Sequence, residues 1–258
     1  MIVVDLDQTL LRPDKSISGF TVNTLNICKQ KSILIAFATA RTEIDCKSYA
    51  EEIKPDAIIS SRGLLVRVGE NTISRFILDV ETTNKILSEC FKQSNIRYIL
   101  AFTEKGTFAN IPVDEHNTIW GKCNPDMYTD FTNGLDCGAH EIVAEVFDDT
   151  TAYNVAALFP TIDVKKISGH HWYSFGAGGV NKSINKFDGI KSLATYFNIE
   201  LEDIVSFGDD LCDVEMLIGC GIGVAVDNAI GEVKNAANFI CDSNDNDGVA
   251  KWIEEHIL

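Results

Sequence analysis

Residues 1–10 read MIVVDLDQTL, and the order of residue types in that stretch decides how the rest of the chain is read. Ile2, Val3 and Val4 form an apolar run without alternation, the pattern of a strand covered on both faces, and Asp5 and Asp7 follow where the run stops. In an open parallel sheet ligands bind beyond the carboxyl ends of the strands, so acids placed there are placed for chemistry. With residue 6 facing away, both carboxylates converge on one side of the strand end, where their repulsion is costly unless a cation sits between them. The same D-x-D pair also suits a solvated loop, and the remaining strand ends decide between the readings.

Outward from this strand, the first third alternates strand and helix signals: TVNTLNICKQ (21–30) as helix, ILIAFAT (33–39) as strand, a helix from Thr42 to about Glu52, and DAIIS (56–60) as strand. The last third behaves alike. A helix near Asp188–Phe197 leads to strand DIVSFGD (203–209), helix DVEMLIG (213–219), strand GIGVAV (221–226), a helix over 229–236 and strand FIC (239–241). Both ends therefore belong to one doubly wound, Rossmann-like parallel α/β sheet.

The middle reads differently. Helix VETTNKILSECFKQ (80–93) precedes strands YILAFT (98–103) and TFANI (107–111) about the turn EKG; then come strand EIVAEVF (141–147), helix TTAYNVAALF (150–159) and strands IDVKKI (162–167) and HWYSF (171–175). Two helix–strand–strand units predict a small antiparallel sheet with helices on one face. The expected division is a core of 1–78 and 182–258, with an α+β cap domain inserted over 79–181.

Composition narrows the function. At 258 residues, with 45% apolar and 23% charged residues, the chain can bury a sizeable core. A net charge of −16 repels a phosphate backbone, which argues against nucleic acid as partner. No apolar run reaches membrane-spanning length and the first residues lack a secretory signal, so neither a membrane nor export is expected and the default location is cytoplasmic. The eight cysteines, at 28, 46, 90, 123, 137, 212, 220 and 241, show no metal-binding spacing and read as reduced, mostly buried residues.

Three further elements join the D-x-D pair. Thr39 closes the second strand and, with Ala40 and Arg41, leads toward a helix N-terminus, a ready phosphate cradle, although an N-cap threonine has the same local signature. Lys186 precedes a helix and offers a point charge for phosphate, with Lys182 and Lys191 as rivals. GDDLCD (208–213) brings more acids to a third strand end. Mg²⁺ takes near-octahedral oxygen ligation and keeps several waters, so Asp5, Asp209 and the Asp7 carbonyl form a sufficient set, with Asp210 or Asp213 holding waters behind them.

In this chain order DLDQT, Thr39, Lys186 and GDDLCD resemble the four motifs of the haloacid dehalogenase superfamily, in its Cof-like sugar phosphatase branch with a cap inserted after the second motif. The tail GVAVDNAIGEVKNAANFICDSNDNDGVAKWI resembles that branch's ending, and the 23 residues between Lys186 and Asp209 resemble its spacing, leaving Lys182 as the fallback. The resemblance implies a Mg²⁺-dependent phosphatase acting on a small phosphorylated metabolite as a monomer or weak homodimer. By it, Asp5 attacks phosphorus to form an aspartyl-phosphate, while Asp7 protonates the leaving alkoxide and then activates water. Lys186, Thr39 and the backbone N–H groups near Leu6 and Ala40 would hold the phosphate. A phosphomutase with the same nucleophile and a phosphate-binding protein without turnover are the alternatives. Cys212 stands where the branch has Asn, Ala40 where it has Gly, and Ser60–Gly63 where it often has Asn-Gly-Ala. The cap is expected to exclude water and read the leaving group, with His116, Trp120, His170, His171 and Trp172 as candidate contacts.

Overall fold

The computed structural model describes residues 1–110, 128–160, 162–166, 172–177 and 184–258. The chain divides into two compact units, Met1–Arg75 with Ile184–Leu258, and Phe76–Ser183.

The first unit begins with β1 (Ile2–Val4), α1 (Gly19–Gln30), β2 (Ile35–Ala38), α2 (Lys47–Ile53), β3 (Ala57–Ser60), β4 (Leu65–Val68) and β5 (Asn71–Arg75). The inserted unit supplies α3 (Val80–Phe91), β6 (Ile96–Thr103), β7 (Gly106–Ala109), β8 (Ala139–Val146), α4 (Asp149–Ala157), β9 (Ile162–Lys166) and β10 (Trp172–Ala177). The first unit then resumes with α5 (Lys186–Phe197), β11 (Val205–Gly208), α6 (Val214–Gly219), β12 (Ile222–Val226), α7 (Gly231–Ala236), β13 (Phe239–Cys241) and α8 (Gly248–His256).

The eight-stranded sheet runs β13-β12-β11-β1-β2-β3-β4-β5, parallel from β13 to β3 and antiparallel across β4 and β5. The unalternated apolar runs are explained by helices on both faces. Ile2, Val4, Phe37 and Phe207 pack with Leu25, Cys28, Trp252 and Ile253 of α1 and α8, whereas Val3, Ala36 and Ile59 pack with Ile190 and Leu193 of α5. Chain direction away from β1 reverses, to β2 and β3 on one side and β11 onward on the other, so the crevice beside β1 is the topological switch point at which such sheets bind ligands. The doubly wound core expected from the sequence is the one observed.

Two details depart from the sequence reading. The β4–β5 hairpin was not anticipated; LVRV and NTISR alternate about Gly69-Glu70, with Gly69 at φ +54. The helix expected from Thr42 starts only at Lys47, because the Thr42 hydroxyl and the Asp45 carboxylate (2.6 Å) hold 42–46 in a tighter turn.

In the inserted unit the five strands run β7-β6-β8-β10-β9 and pair antiparallel. Ile86, Leu87 and Cys90 of α3 and Ala152 and Val155 of α4 bury one face of the sheet together with Ile99, Ile142, Ala144, Tyr173 and Phe175. This is the α+β insertion expected from the two helix–strand–strand patterns. Among the described residues no helix is long and apolar enough to cross a membrane.

Candidate active site

Asp5 leaves β1 with its N–H still donated to the Phe207 carbonyl of β11 (3.0 Å), so its place is fixed by the sheet. The chain then makes one wide turn, Leu10 N–H to Asp5 carbonyl (3.2 Å) and Leu11 N–H to Leu6 carbonyl (2.8 Å), with Gln8 at φ +61. Asn228 Nδ2 holds the Gln8 carbonyl at 2.7 Å. This turn buries Leu6 and swings Thr9 round to donate to Asp209 Oδ1 at 2.9 Å.

From the tip of β11, Asp213 folds back over Gly208. Its Oδ2 accepts the N–H groups of Asp209 (3.0 Å) and Asp210 (3.1 Å), which leaves Oδ1 to face Lys186. Glycine is required beneath it, since a Cβ on residue 208 would meet the Asp213 side chain at 2.4 Å. Lys186 is the first residue of α5, set by an Asn185 N-cap and its reciprocal Asp188 capping box. Its ammonium donates to Asp5 Oδ1 at 2.7 Å and Asp213 Oδ1 at 2.6 Å, and the side chain is 1% exposed.

Asp5, Asp209 and Asp213 each bring an oxygen within 4.8 Å of the others. Burial pushes the Asp5 carboxyl well above the usual range, with Lys186 opposing and Asp213 and Asp209 adding to the rise. Burial, then Asp213, raises Asp209 to about 6. The Lys186 ammonium loses solvation but is held well above its ordinary pKa by Asp213 and Asp5. Three carboxylates against one ammonium carry a formal surplus of two negative charges, which one divalent cation would neutralise, and carboxylate oxygen is the donor that a hard cation prefers. The residues present fit a divalent metal.

The expected ligand list is longer than this cluster. The Asp210 carboxylate lies outside the three-acid cluster and accepts the Leu211 N–H at 2.8 Å in the turn it begins. The Asp7 carboxylate is turned to a different partner set: Arg41 Nε reaches Oδ2 at 2.7 Å, Arg41 Nη2 reaches Oδ1 at 2.8 Å, and Lys15 Nζ reaches Oδ1 at 2.7 Å. Burial alone would raise this carboxyl, but the two cations outweigh it and bring it to about 2.

Thr39 is buried, and its hydroxyl accepts the Arg41 N–H at 3.1 Å rather than capping a regular helix, while Ala40 beside it is exposed. Ser61 and Arg62, at φ +48 and +57, donate their N–H groups to the Arg41 and Thr39 carbonyls, which joins the β3 tip to the β2 tip. Cys212 is half-buried beside Asp213 (Sγ to Oδ1, 3.9 Å), and burial pushes its thiol up to about 12, far from a reactive thiolate. Lys191 pairs with Asp188 at 2.7 Å further along α5 and is not in the cluster. Lys182, His116, Trp120, His170 and His171 lie outside the described residues, and Trp172 opens β10 of the inserted unit.

The sequence reading passed over Arg41, Lys15 and Asn228 as site residues. Arg41 had a signal, since it lies two residues beyond Thr39 at the same strand tip. Lys15 and Asn228 had none, because only the fold carries them to Asp7 and Gln8.

A sequence model of the haloacid dehalogenase-like hydrolases matches residues 2–253. The chain is 26% identical over 273 residues to the 5-amino-6-(5-phospho-D-ribitylamino)uracil phosphatase YitU of Bacillus subtilis, covering 99% of this chain and 97% of that one. Its fold is similar to that of a haloacid dehalogenase-like hydrolase from Bacteroides thetaiotaomicron (TM-score 0.78, 24% identity, 98% of each chain). It is likewise similar to that of a HAD subclass IIB sugar phosphatase (TM-score 0.76, 22% identity, 98% of this chain and 97% of that one). The expectation of a phosphoric monoester hydrolase of the Cof-like kind holds at the level of enzyme class. With the match running almost from end to end, the chain belongs to the haloacid dehalogenase-like hydrolase family.

Proposed function

We propose that this protein is a Mg²⁺-dependent phosphatase that removes phosphate from a small metabolite, a sugar phosphate or a phosphorylated sugar alcohol, through an aspartyl-phosphate on Asp5. The observation that carries the reading is the convergence of Asp5, Asp209 and Asp213 on one spot with a single buried ammonium between two of them. The named substrate of the Bacillus relative, a phosphoribityl compound, supports the substrate class.

In this reading an Asp5 oxygen attacks phosphorus as the bond to the leaving oxygen breaks, and Asp7, released from Arg41 and Lys15 and protonated when substrate binds, delivers a proton to that oxygen. Water then attacks phosphorus, the Asp5–phosphorus bond breaks, Asp7 takes the water's proton and inorganic phosphate leaves. Lys186 offsets charge on Asp5 and on the transferring group, while Thr39 and the N–H groups of Leu6 and Ala40 hold phosphate oxygens. Asp5, Asp209 and the Asp7 carbonyl would hold a divalent cation, with Asp213 and Asp210 behind them, and its charge would offset that of the phosphate. Choice among substrates is assigned to the inserted unit.

The test is a panel of sugar phosphates, sugar-alcohol phosphates, flavin mononucleotide, pyridoxal phosphate and nucleotides, assayed for phosphate release with Mg²⁺ and after exhaustive chelation. Metal-dependent release without any acceptor molecule is expected. Release that survives chelation would contradict the metal assignment, and phosphate transfer only to an acceptor would favour a mutase.

A further inference from the structure

Ser61 and Arg62 form the turn that ends β3, and both are left-handed, at φ +48 and +57, a conformation that such side chains seldom adopt and that gathers at functional sites. The turn is pinned on two sides to elements that carry residues assigned above to the phosphate. Ser61 N–H donates to the Arg41 carbonyl at 2.7 Å, and Arg62 N–H to the Thr39 carbonyl at 3.0 Å. On the other side Gly63 is pressed against the start of α5, where a Cβ on it would meet the Asn185 carbonyl oxygen at 2.1 Å. The backbone of Arg62 therefore lies between those of Thr39 and Lys186.

Two side chains mark this turn as a place for a ligand. Ser61 is 6% exposed, and its hydroxyl has no hydrogen-bond partner among the described residues, a costly condition that an incoming oxygen would relieve. The charge of Arg62 is felt inside the site: burial raises the Cys212 thiol, and Lys186 and Arg62 are the two cations that pull against that rise. Lys186 is already shared between Asp5 Oδ1 and Asp213 Oδ1, so its charge is matched before a phosphate dianion enters. Cys212 adds little on its own side, because a thiol is a weak donor.

We propose that the Ser61–Arg62 turn is a further substrate contact, in which the Arg62 guanidinium and the Ser61 hydroxyl each donate to an oxygen of the substrate's phosphate. The identity of that anion rests on the phosphatase reading. A guanidinium presents its N–H groups as a planar fork that matches a phosphate, so the contact depends on shape as well as charge. A purely structural turn behaves differently: removing a buried hydroxyl that bonds to nothing would leave phosphate binding untouched.

The experiment titrates inorganic phosphate calorimetrically into wild type, Arg62→Gln, Arg62→Lys and Ser61→Ala in Mg²⁺, with melting curves and phosphate release from a sugar phosphate for each. Arg62→Gln is expected to weaken phosphate binding about tenfold or more, the worth of a charge-assisted hydrogen bond. Arg62→Lys, which keeps the charge and loses the fork, should recover part of that loss. Ser61→Ala should weaken binding about three- to tenfold while melting no lower than wild type. Arg62→Gln and Ser61→Ala variants that bind phosphate within about twofold of wild type overturn the proposal, whatever their melting temperatures, and leave the phosphatase reading intact if wild type cleaves the ester. A wild type that takes up no phosphate overturns it as well. Phosphate binding that is weakened as expected, in a wild type that cleaves no ester, sustains the contact and sinks the phosphatase reading instead.

Discussion

Lys186 Nζ lies 2.7 Å from Asp5 Oδ1 with both side chains buried, 1% and 7% exposed. A cation so enclosed is stable only because Asp5 and Asp213 compensate it, and those two acids are tolerable side by side only because of it. Replacing Lys186→Met leaves the acids uncompensated. The expected cost is about 3 kcal/mol or more, read by denaturant unfolding without metal. Turnover should fall by about 100-fold or more even where the variant remains folded.

The raised Asp209 carboxyl makes the metal response depend on pH. An acid at about 6 in the folded chain, against 3.8 in the unfolded one, disfavours the metal-free fold increasingly as pH climbs between those values. Below about 6 the proton competes with a cation for the same oxygen. Mg²⁺ should therefore raise the melting temperature more at pH 7.5 than at pH 5. A hundredfold excess over Kd is worth about 2.7 kcal/mol. Equal gains at both values would contradict the picture.

Asp209→Asn separates the cation from the rest of the site. It removes one negative charge from a crowded cluster, so the metal-free variant should melt no lower than wild type. The stabilisation by Mg²⁺ should weaken by about tenfold or more in apparent affinity, since even groups behind a ligand cost that much. Calorimetric titration against melting curves checks both halves.

The helix that carries Lys186 is seated by a close approach. A Cβ on Gly189 would come 2.5 Å from Ile59 Cγ2, a branched side chain buried in β3. Gly189→Ala raises helix propensity, yet the expected outcome is a loss of about 1–3 kcal/mol from overpacking. Turnover should fall too, because α5 cannot shift without moving Lys186. A variant more stable than wild type would show that the helix is free to adjust.

Much of this was legible from residues alone because apolar runs and strand-end acids are local signals. IVV ending in Asp5, and VSFG ending in Asp209, each declare a buried parallel strand and a polar tip. The strand and helix pattern of the inserted unit was equally plain, down to the β6–β7 hairpin about Glu104–Gly106. What could not be read was the pairing between distant polar groups. The DLDQT string places Asp7 near Asp5, but the Arg41 fork that turns its carboxylate away arrives from another strand tip, and Lys15 depends on a left-handed turn that no residue preference announces. Asp210 and Asp213 have the same local appearance, and only the fold-back of Asp213 over Gly208 separates them.

The most direct measurement is phosphate release by Asp5→Asn beside wild type, both folded by circular dichroism, on the best substrate of the panel with saturating Mg²⁺. An isosteric amide cannot attack phosphorus, so the variant should release phosphate at least about a thousandfold more slowly. Release by Asp5→Asn within a few-fold of wild type would show that the ester is cleaved without that carboxylate.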